Sequence, residues 1–431
     1  MKEQVQKISD RAETYLSDTL DLFEPLAWTE RQQSETLRKA FIELGLFEYV
    51  GRLAGESVPE VRAHLVERTN DPRYAELFDR YPTLFRSYGL PAVSLRQTGD
   101  LEQRTENAVD RVLRGDTVWG VERQPNSLLD LLLEAELWGY HDHGYDIEEI
   151  VSHSAVAYPP DPVEATFSDY YALTHSVFAP TNFGWGGDRL LAPPLPYELE
   201  TTITAGVIRG IAAGHSDIVV ELLWIGAIQE QLHPTVFEHA VRWLVDERSV
   251  PGRVLQPDMD MTESDREGFA VPMDDTEAST WTGDQLTWLR HYHVNIVTGC
   301  MSRYLLDRVD LGEYDTTTVD TDPESFAALA SYGSLLNALH DYDLGAAAEQ
   351  AVAIDEQWFQ RFDSLTERVL KFFRAQERGD RFGYWPDEQR LFELEHGDAA
   401  AFQSELVEPI ASKCQQAITH LEDSLERADH A

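Results

Sequence analysis

Apolar side chains recur at helical spacing along almost the whole 431-residue chain. Between residues 32 and 50, for example, one face of an amphipathic helix is marked by Leu37, Ala40, Phe41 and Leu44. The same period recurs in segments 58–68, 72–87, 101–114, 126–139, 164–178, 196–212, 216–230, 234–246, 281–305, 323–339, 345–375 and 400–427. No comparable segment alternates with the period of two that a half-buried strand shows. The spacing therefore predicts an all-α fold.

Prolines separate the predicted helices. Several lie in the first turn of a helix, where a fixed φ and a missing N–H are tolerated, and Pro82 is expected to split segment 72–87. Helix pairs follow one another about every 40–50 residues, which is typical of stacked αα-hairpins. We therefore expect residues 1–340 to form a closed α/α toroid or an open, curved helical solenoid. Residues 341–431 are expected to form a C-terminal helical hairpin packed on it.

The charge of the chain is strongly unbalanced, with 35 basic and 77 acidic side chains and a formal net charge of −42. Such a surface repels nucleic-acid phosphates and anionic lipids, so neither is expected as a partner. The basic residues are almost all arginine. This composition resembles that of proteins from salt-accumulating halophilic archaea, in which a Debye length of about 3 Å in molar salt removes the self-repulsion.

The apolar and cysteine content predicts a soluble cytoplasmic protein. The longest apolar stretch, Ile218 to Ile228, is interrupted by Glu221 and is too short to span a bilayer. The N-terminal residues lack the apolar segment of a signal peptide. Cys300 and Cys414 are the only cysteines, which fits a reducing compartment and excludes a disulfide framework.

The first candidate site is a helix that runs into the glycine-rich sequence FGWGG at residues 183–187. His175 shares a helix face with Tyr171 and is expected to point toward the apolar side. Thr181 and Asn182 follow the helix. In a functional interpretation His175 is catalytic, while Tyr171, Thr181 and Asn182 bind the substrate. In a structural interpretation His175 is a hydrogen-bonded core histidine and Asn182 forms a turn.

The second candidate is His293, within the helix predicted over 281–305. It lines up with apolar residues, whereas His291 falls on the opposite face, so the two cannot bind one metal ion together. An imidazole that faces a water-poor cavity can transfer protons near neutral pH, and His293 is therefore a candidate catalytic residue. The alternative is again a core histidine.

Two further features near the first site carry weaker signals. Arg123 precedes the helix predicted over 126–139 and is a candidate anion clamp for a substrate, although such an arginine can also cap a helix or pair with an acid. His141 and His143 form an H-x-H sequence on a predicted solvated loop. They have no third ligand at a defined spacing, and the sequence predicts no metal ligands and identifies no cofactor.

The motif T-H-x-x-F-x-x-T-[D/N]-F-G, present here over residues 174–184, resembles the signature of a family of unknown function from actinomycetes and archaea. The resemblance covers roughly residues 15–310. An R-x-P-x-x-x-L-D segment from Arg123 and a Tyr-His pair ending at His293 resemble flanking motifs of that family. It implies an all-helical domain and marks the same histidines. Asn182 stands where the family usually carries Asp, which argues against a catalytic carboxylate there.

These residues support two functions of different classes. In the first, the chain is an enzyme or small-molecule binder whose enclosed cavity is lined by His175 and His293. In the second, it is a non-catalytic helical scaffold that binds a protein or peptide on its concave face. The first requires that the candidate residues converge on one site, and the second leaves each with its own structural partner.

Overall fold

The computed structural model describes residues 1–26, 31–246, 283–312, 314, 323–377 and 408–428. In chain order the α-helices are α1 (Lys2–Asp18), α2 (Arg31–Leu53), α3 (Pro59–Thr69), α4 (Pro72–Arg80), α5 (Gly89–Thr98), α6 (Gln103–Arg114), α7 (Asp116–Trp119), α8 (Pro125–Trp138), α9 (Ile147–Val151), α10 (Phe167–Phe178), α11 (Glu200–Ala213), α12 (Ser216–Ile228), α13 (Pro234–Asp246), α14 (Gly283–Arg308), α15 (Pro323–His340), α16 (Leu344–Ala353), α17 (Glu356–Arg361), α18 (Asp363–Glu377) and α19 (Glu408–Ala428). Short 3₁₀ helices span Leu20–Leu22, Pro82–Ser87 and Asn182–Gly184. The described residues contain no β-strand, which confirms the all-α prediction.

Local sequence determines where these helices begin and end. Pro72 and Pro125 occupy the first helical position of α4 and α8, as the proline pattern predicts. At the start of α4, the side chain of Asp71 accepts a hydrogen bond of 2.8 Å from the N–H of Arg73. Helix α8 ends at Gly139, whose φ of 87° is left-handed and favours glycine.

Two predicted segments are divided in the structure. Segment 72–87 forms α4 and a 3₁₀ helix that begins at Pro82, which confirms the predicted split. The prediction of one continuous helix over 345–375 is wrong, because this segment forms α16, α17 and α18. The break before α17 has a local cause: the side chain of Asp355 caps that helix by accepting a 3.0 Å hydrogen bond from the N–H of Gln357.

The chain divides into two compact units. Unit 1 comprises Met1–Pro160, Phe167–Glu200 and Gly214–Thr317, and unit 2 comprises Asp161–Thr166, Thr201–Ala213 and Thr318–Ala431. The predicted division into residues 1–340 and 341–431 stays a prediction. None of the described helices is long and apolar enough to cross a lipid bilayer.

Unit 1 is organised around α14, which packs against α1, α2 and α12. Because neighbours surround this helix, polar side chains on several of its faces are buried, including His291, Asn295 and Arg303. The sequence assigned His291 and His293 to opposite faces, but those faces do not separate core from solvent, since both are covered by protein. This central helix carries one of the two predicted catalytic histidines.

Unit 2 is built from helices of the C-terminal part of the chain together with α11. Helix α16 packs against both α15 and α19, and α18 packs against α19. Arg209 of α11 is buried, and its guanidinium donates hydrogen bonds to the carbonyl oxygen of Ala165 and to the side chain of Asn337. These contacts satisfy a buried charge with polar partners inside the same unit.

Candidate functional site

His293 lies among three carboxylates in unit 1. Its Nδ1 is 2.8 Å from Oε2 of Glu43 on α2. Its Nε2 is 3.1 Å from Oδ1 of Asp217 and 3.8 Å from Oε1 of Glu221, both on α12. Packing of α2 and α12 on α14 therefore brings one imidazole and three acidic side chains together, and we call these four residues the His293 cluster.

The two acids of α12 are held by donors from α10. Asp217 and Glu221 are four residues apart and share one face of a helix whose side chains are otherwise mostly apolar. The hydroxyl of Tyr171 hydrogen-bonds to Oδ2 of Asp217, and the hydroxyl of Thr174 donates a 2.5 Å hydrogen bond to Oε2 of Glu221. Both acids are buried, and a buried carboxylate is tolerated only when it is paired and hydrogen-bonded.

The cluster shifts the pKa of its members. Burial lowers the pKa of His293, but the adjacent carboxylates of Asp217 and Glu43 outweigh burial and hold that pKa well above its usual value. Burial raises the pKa of Asp217, and the pairing with His293 more than offsets this and leaves it lowered. Burial and the charge of Asp217 raise the pKa of Tyr171 far above its usual value, so its hydroxyl stays a neutral donor.

His175 forms a second pair next to the cluster. Its Nδ1 is 3.3 Å from Oδ2 of Asp130, which also accepts a 2.7 Å hydrogen bond from Arg86. Burial lowers the pKa of His175, but the Asp130 carboxylate, with a smaller electrostatic contribution from Glu221, raises it overall. Glu221 thus acts on both histidines, which places the pair and the His293 cluster in one electrostatic environment.

Both histidines keep accessible surface although protein surrounds them. The side chain of His293 is 24% accessible and that of His175 is 41% accessible, whereas Asp217 beside them is only 1% accessible. Both histidines are thus largely desolvated and yet reachable by water, and we call these two residues and the space beside them the histidine site. An ionisable pair in such a place can bind a ligand or transfer a proton.

One ligand atom from each of Asp217, Glu221 and His293 lies within 4.8 Å of the other two. In the part of the chain that the structure describes, this is the one group of three or more histidine, cysteine or acidic residues with that geometry. The arrangement can therefore serve acid–base chemistry or hold a cation. The sequence predicted no metal ligands and missed this convergence.

The family comparison bears on this region of the chain. Residues 9–303 match the model of a family described as Domain of unknown function (DUF6895), which is more than half of the sequence. The chain belongs to the DUF6895 family. No curated protein and no solved structure matches it. The His293 cluster, His175 and Asp130 all lie within the matched DUF6895 region, and residues 318–431 of unit 2 lie outside it.

The structure brings together some of the predicted site residues and not others. His293 belongs to the cluster, and Tyr171 hydrogen-bonds to Asp217 within it. His175 forms the separate pair with Asp130. Thr181 instead donates a 2.6 Å hydrogen bond to the carbonyl oxygen of Val177 and closes the end of α10. The predicted residues therefore divide into those that lie at or beside the His293 cluster and Thr181, which shapes the helix end.

Asn182 has a structural position in the loop after α10. Its Oδ1 accepts a 2.7 Å hydrogen bond from the hydroxyl of Tyr49, and its Nδ2 donates to the carbonyl oxygen of Gly186 at 3.1 Å. Its φ of 49° is left-handed, a conformation that Asn tolerates better than most residues. Its side chain is thus engaged on both sides by the protein, and its predicted substrate-binding role stays a prediction.

Arg123 is placed differently from the predicted anion clamp. Its guanidinium donates to the main-chain carbonyl oxygens of Val118 and Val121 at 2.7 and 3.0 Å, and ties together the turn before α8. The arginine that reaches the site is Arg86, through Asp130. Arg86 was not singled out because the contact joins residues 44 positions apart, and no local pattern marks it.

The sequence analysis also missed the acids of the cluster and the contacts that His141 and His143 make with Glu136. Glu43, Asp217 and Glu221 each interrupt an apolar helix face, and such an interruption is the signal that could have indicated them. His141 and His143 lie in an irregular loop most of whose residues are exposed, as predicted, but their side chains are not free in solvent. Both side chains contact Glu136, at 2.6 and 2.8 Å, and His143 is only 5% accessible.

Proposed function

We propose that the DUF6895 region of this chain is an enzyme or small-molecule binder that acts at the histidine site formed by His293 and His175. The observation that carries the proposal is the convergence of an accessible imidazole with three carboxylates contributed by two other helices. A histidine that only filled the core would need one partner, and it would have little accessible surface. The scaffold alternative gives no reason for this convergence.

Within the histidine site and the His293 cluster the residues have distinct roles. The His175–Asp130 pair supplies proton transfer, since the carboxylate orients the imidazole and stabilises its charged form. The His293 cluster binds and polarises the ligand. Tyr171 and Thr174 position the acids, and the substrate-binding role of Tyr171 stays a prediction.

The test is recovery of small molecules from the full chain. Protein purified in molar KCl is denatured, and the released compounds are quantified by mass spectrometry. We expect a compound in stoichiometric amount from the wild type and at least tenfold less from His175→Gln. The matched control is His153→Gln, an exposed histidine of the same unit, which should retain the wild-type amount. Equal recovery from all three proteins, or none from folded wild type, would favour the peptide-binding scaffold.

The proposal places the protein in the salt-rich cytoplasm of a halophilic archaeon. The support is the net charge of −42, which high salt screens. Dilution from molar to about 0.1 M KCl should lengthen the Debye length about threefold and lower the melting temperature measured by circular dichroism. A melting temperature that is flat or rises on dilution contradicts this part of the proposal.

Two other predictions belong here. The first is that the stacked helix pairs close into a toroid or stay open as a solenoid, which solution scattering of the full chain would distinguish. The second is that the motif over residues 174–184 marks the family in actinomycetes and archaea, which other DUF6895 sequences would test.

A further inference from the structure

We infer that Asp217, Glu221 and His293 bind a divalent transition-metal ion. The inference deepens the proposed function of the same site, and it rests on that function for what the ion does there. It adds a cofactor to the site. In this assignment His293 is a ligand through Nε2, and proton transfer belongs to His175.

The spacing of the three atoms suits an ion. Zinc binds imidazole nitrogen and carboxylate oxygen at about 2.0–2.2 Å, which separates adjacent ligand atoms by about 3.0–3.6 Å. Nε2 of His293 is 3.1 Å from Oδ1 of Asp217 and 3.8 Å from Oε1 of Glu221. Small side-chain adjustments would complete the coordination.

The other polar atom of each ligand is already held. Nδ1 of His293 contacts Glu43, which leaves Nε2 as the metal-binding nitrogen once it is deprotonated. Oδ2 of Asp217 is bonded to Tyr171, and Oε2 of Glu221 accepts from Thr174. Such outer contacts orient ligands in known metal sites, and here they leave one atom of each ligand facing a common point.

A second observation points to a missing partner. Oδ1 of Asp217 is buried and makes no acceptable hydrogen bond with any described residue, although Nε2 of His293 is 3.1 Å away. A buried carboxylate oxygen without an aligned donor costs free energy. A cation between Oδ1, Oε1 of Glu221 and Nε2 would satisfy it.

The donor set indicates the class of ion. One imidazole nitrogen with two carboxylate oxygens, and no sulfur, suits zinc, cobalt, nickel or ferrous iron better than magnesium, which prefers oxygen alone. Three carboxylates around one histidine also leave negative charge for a divalent cation to neutralise. Three protein ligands leave a coordination position open for water or a substrate, as in catalytic zinc sites.

The test uses the metal alone. The full chain is stripped with a chelator, returned to molar KCl and titrated with Co²⁺ or Zn²⁺, with bound metal measured after equilibrium dialysis and Co²⁺ coordination by visible absorption. We expect about one equivalent in the wild type. Asp217→Asn and Glu221→Gln should each weaken binding at least tenfold, and Glu43→Gln by about 10–100-fold as an outer contact. Circular dichroism checks that each variant is folded.

The matched controls are Glu136→Gln, which alters the histidine–carboxylate cluster of His141 and His143, and His153→Gln, which replaces an exposed histidine of the same unit. Both should bind metal as the wild type does. The inference is overturned when the wild type binds no metal, or when Asp217→Asn and Glu221→Gln bind it undiminished, which would mean adventitious binding elsewhere. Because no small molecule is needed, the two failures are distinct: metal binding without a retained compound counts against the proposed function alone, and a compound retained without metal binding counts against the metal site alone.

Discussion

Two histidine–carboxylate clusters of unit 1 differ in how many acids surround each imidazole. In one, His141 and His143 share the single carboxylate of Glu136, and Nδ1 of His143 accepts a 3.2 Å hydrogen bond from the N–H of Tyr145. In the other, His293 alone faces three carboxylates. The first cluster satisfies its polar atoms with protein partners, whereas the second holds more acids than its one cation can pair.

The difference teaches how to separate a structural histidine from a functional one. His143 is 5% accessible, and its ring stacks at 6.2 Å on that of Tyr145, so it ties the loop after α8 to the helix. His293 keeps accessible surface beside buried acids whose excess charge favours a bound cation. A surplus of carboxylates is costly to maintain unless a ligand uses it, and functional sites commonly sacrifice stability in this way.

The largest expected effect comes from removing each imidazole. His293→Gln leaves three carboxylates without their cation and should lower the free energy of unfolding at neutral pH by about 3 kcal/mol. His143→Gln removes one of the two imidazoles that contact Glu136 and should cost about 1 kcal/mol. Urea denaturation in molar KCl measures both. Equal losses would remove the proposed distinction between the clusters.

The carboxylates should respond in the opposite order. Glu136→Gln withdraws a charged acceptor from two histidines and should cost about 1–3 kcal/mol. Glu221→Gln relieves the excess negative charge and keeps an oxygen for the hydroxyl of Thr174, so the metal-free protein should change by no more than about 0.5 kcal/mol or gain stability. A large loss in Glu221→Gln would show that this acid is structural.

A small effect that depends on pH is expected at His175, whose paired acid, Asp130, is shared with Arg86. Its folded pKa is raised above 6.5, so its contribution to stability is full below about pH 6.5 and is lost as the pH rises through the folded value. The pKa of Asp130 is lowered, so that contribution fades below about pH 3.8. Because His175 is accessible, His175→Gln should cost under about 1 kcal/mol at pH 5.5 and less at pH 9. Thermal melts at both pH values check this, and a larger loss at pH 9 contradicts it.

The periodicity of apolar residues predicted most of the helices, because the buried face of a helix is determined by residues only three or four positions apart. The site was predicted in part: His293 and Tyr171 meet through Asp217, but the acids that define the cluster come from helices far apart in the chain. Which helix packs on α14 depends on tertiary contacts that one-dimensional spacing does not contain. Glu136, by contrast, lies within two helical turns of His141, so a local search around that H-x-H could have found it.

The most direct test of the account is thermal unfolding of three proteins with and without Zn²⁺ in molar KCl: the wild type, Glu221→Gln and Glu136→Gln. At a free zinc concentration of about 100 times the measured Kd, binding to the folded state should add about 2.7 kcal/mol. The account predicts that zinc raises the Tm of the wild type and of Glu136→Gln by similar amounts and raises that of Glu221→Gln by no more than about half as much, because binding weakened tenfold or more leaves at most about 1.4 kcal/mol. A zinc-dependent rise in Tm that is undiminished in Glu221→Gln and absent in Glu136→Gln would contradict the account. It would place the zinc ion at the cluster of Glu136.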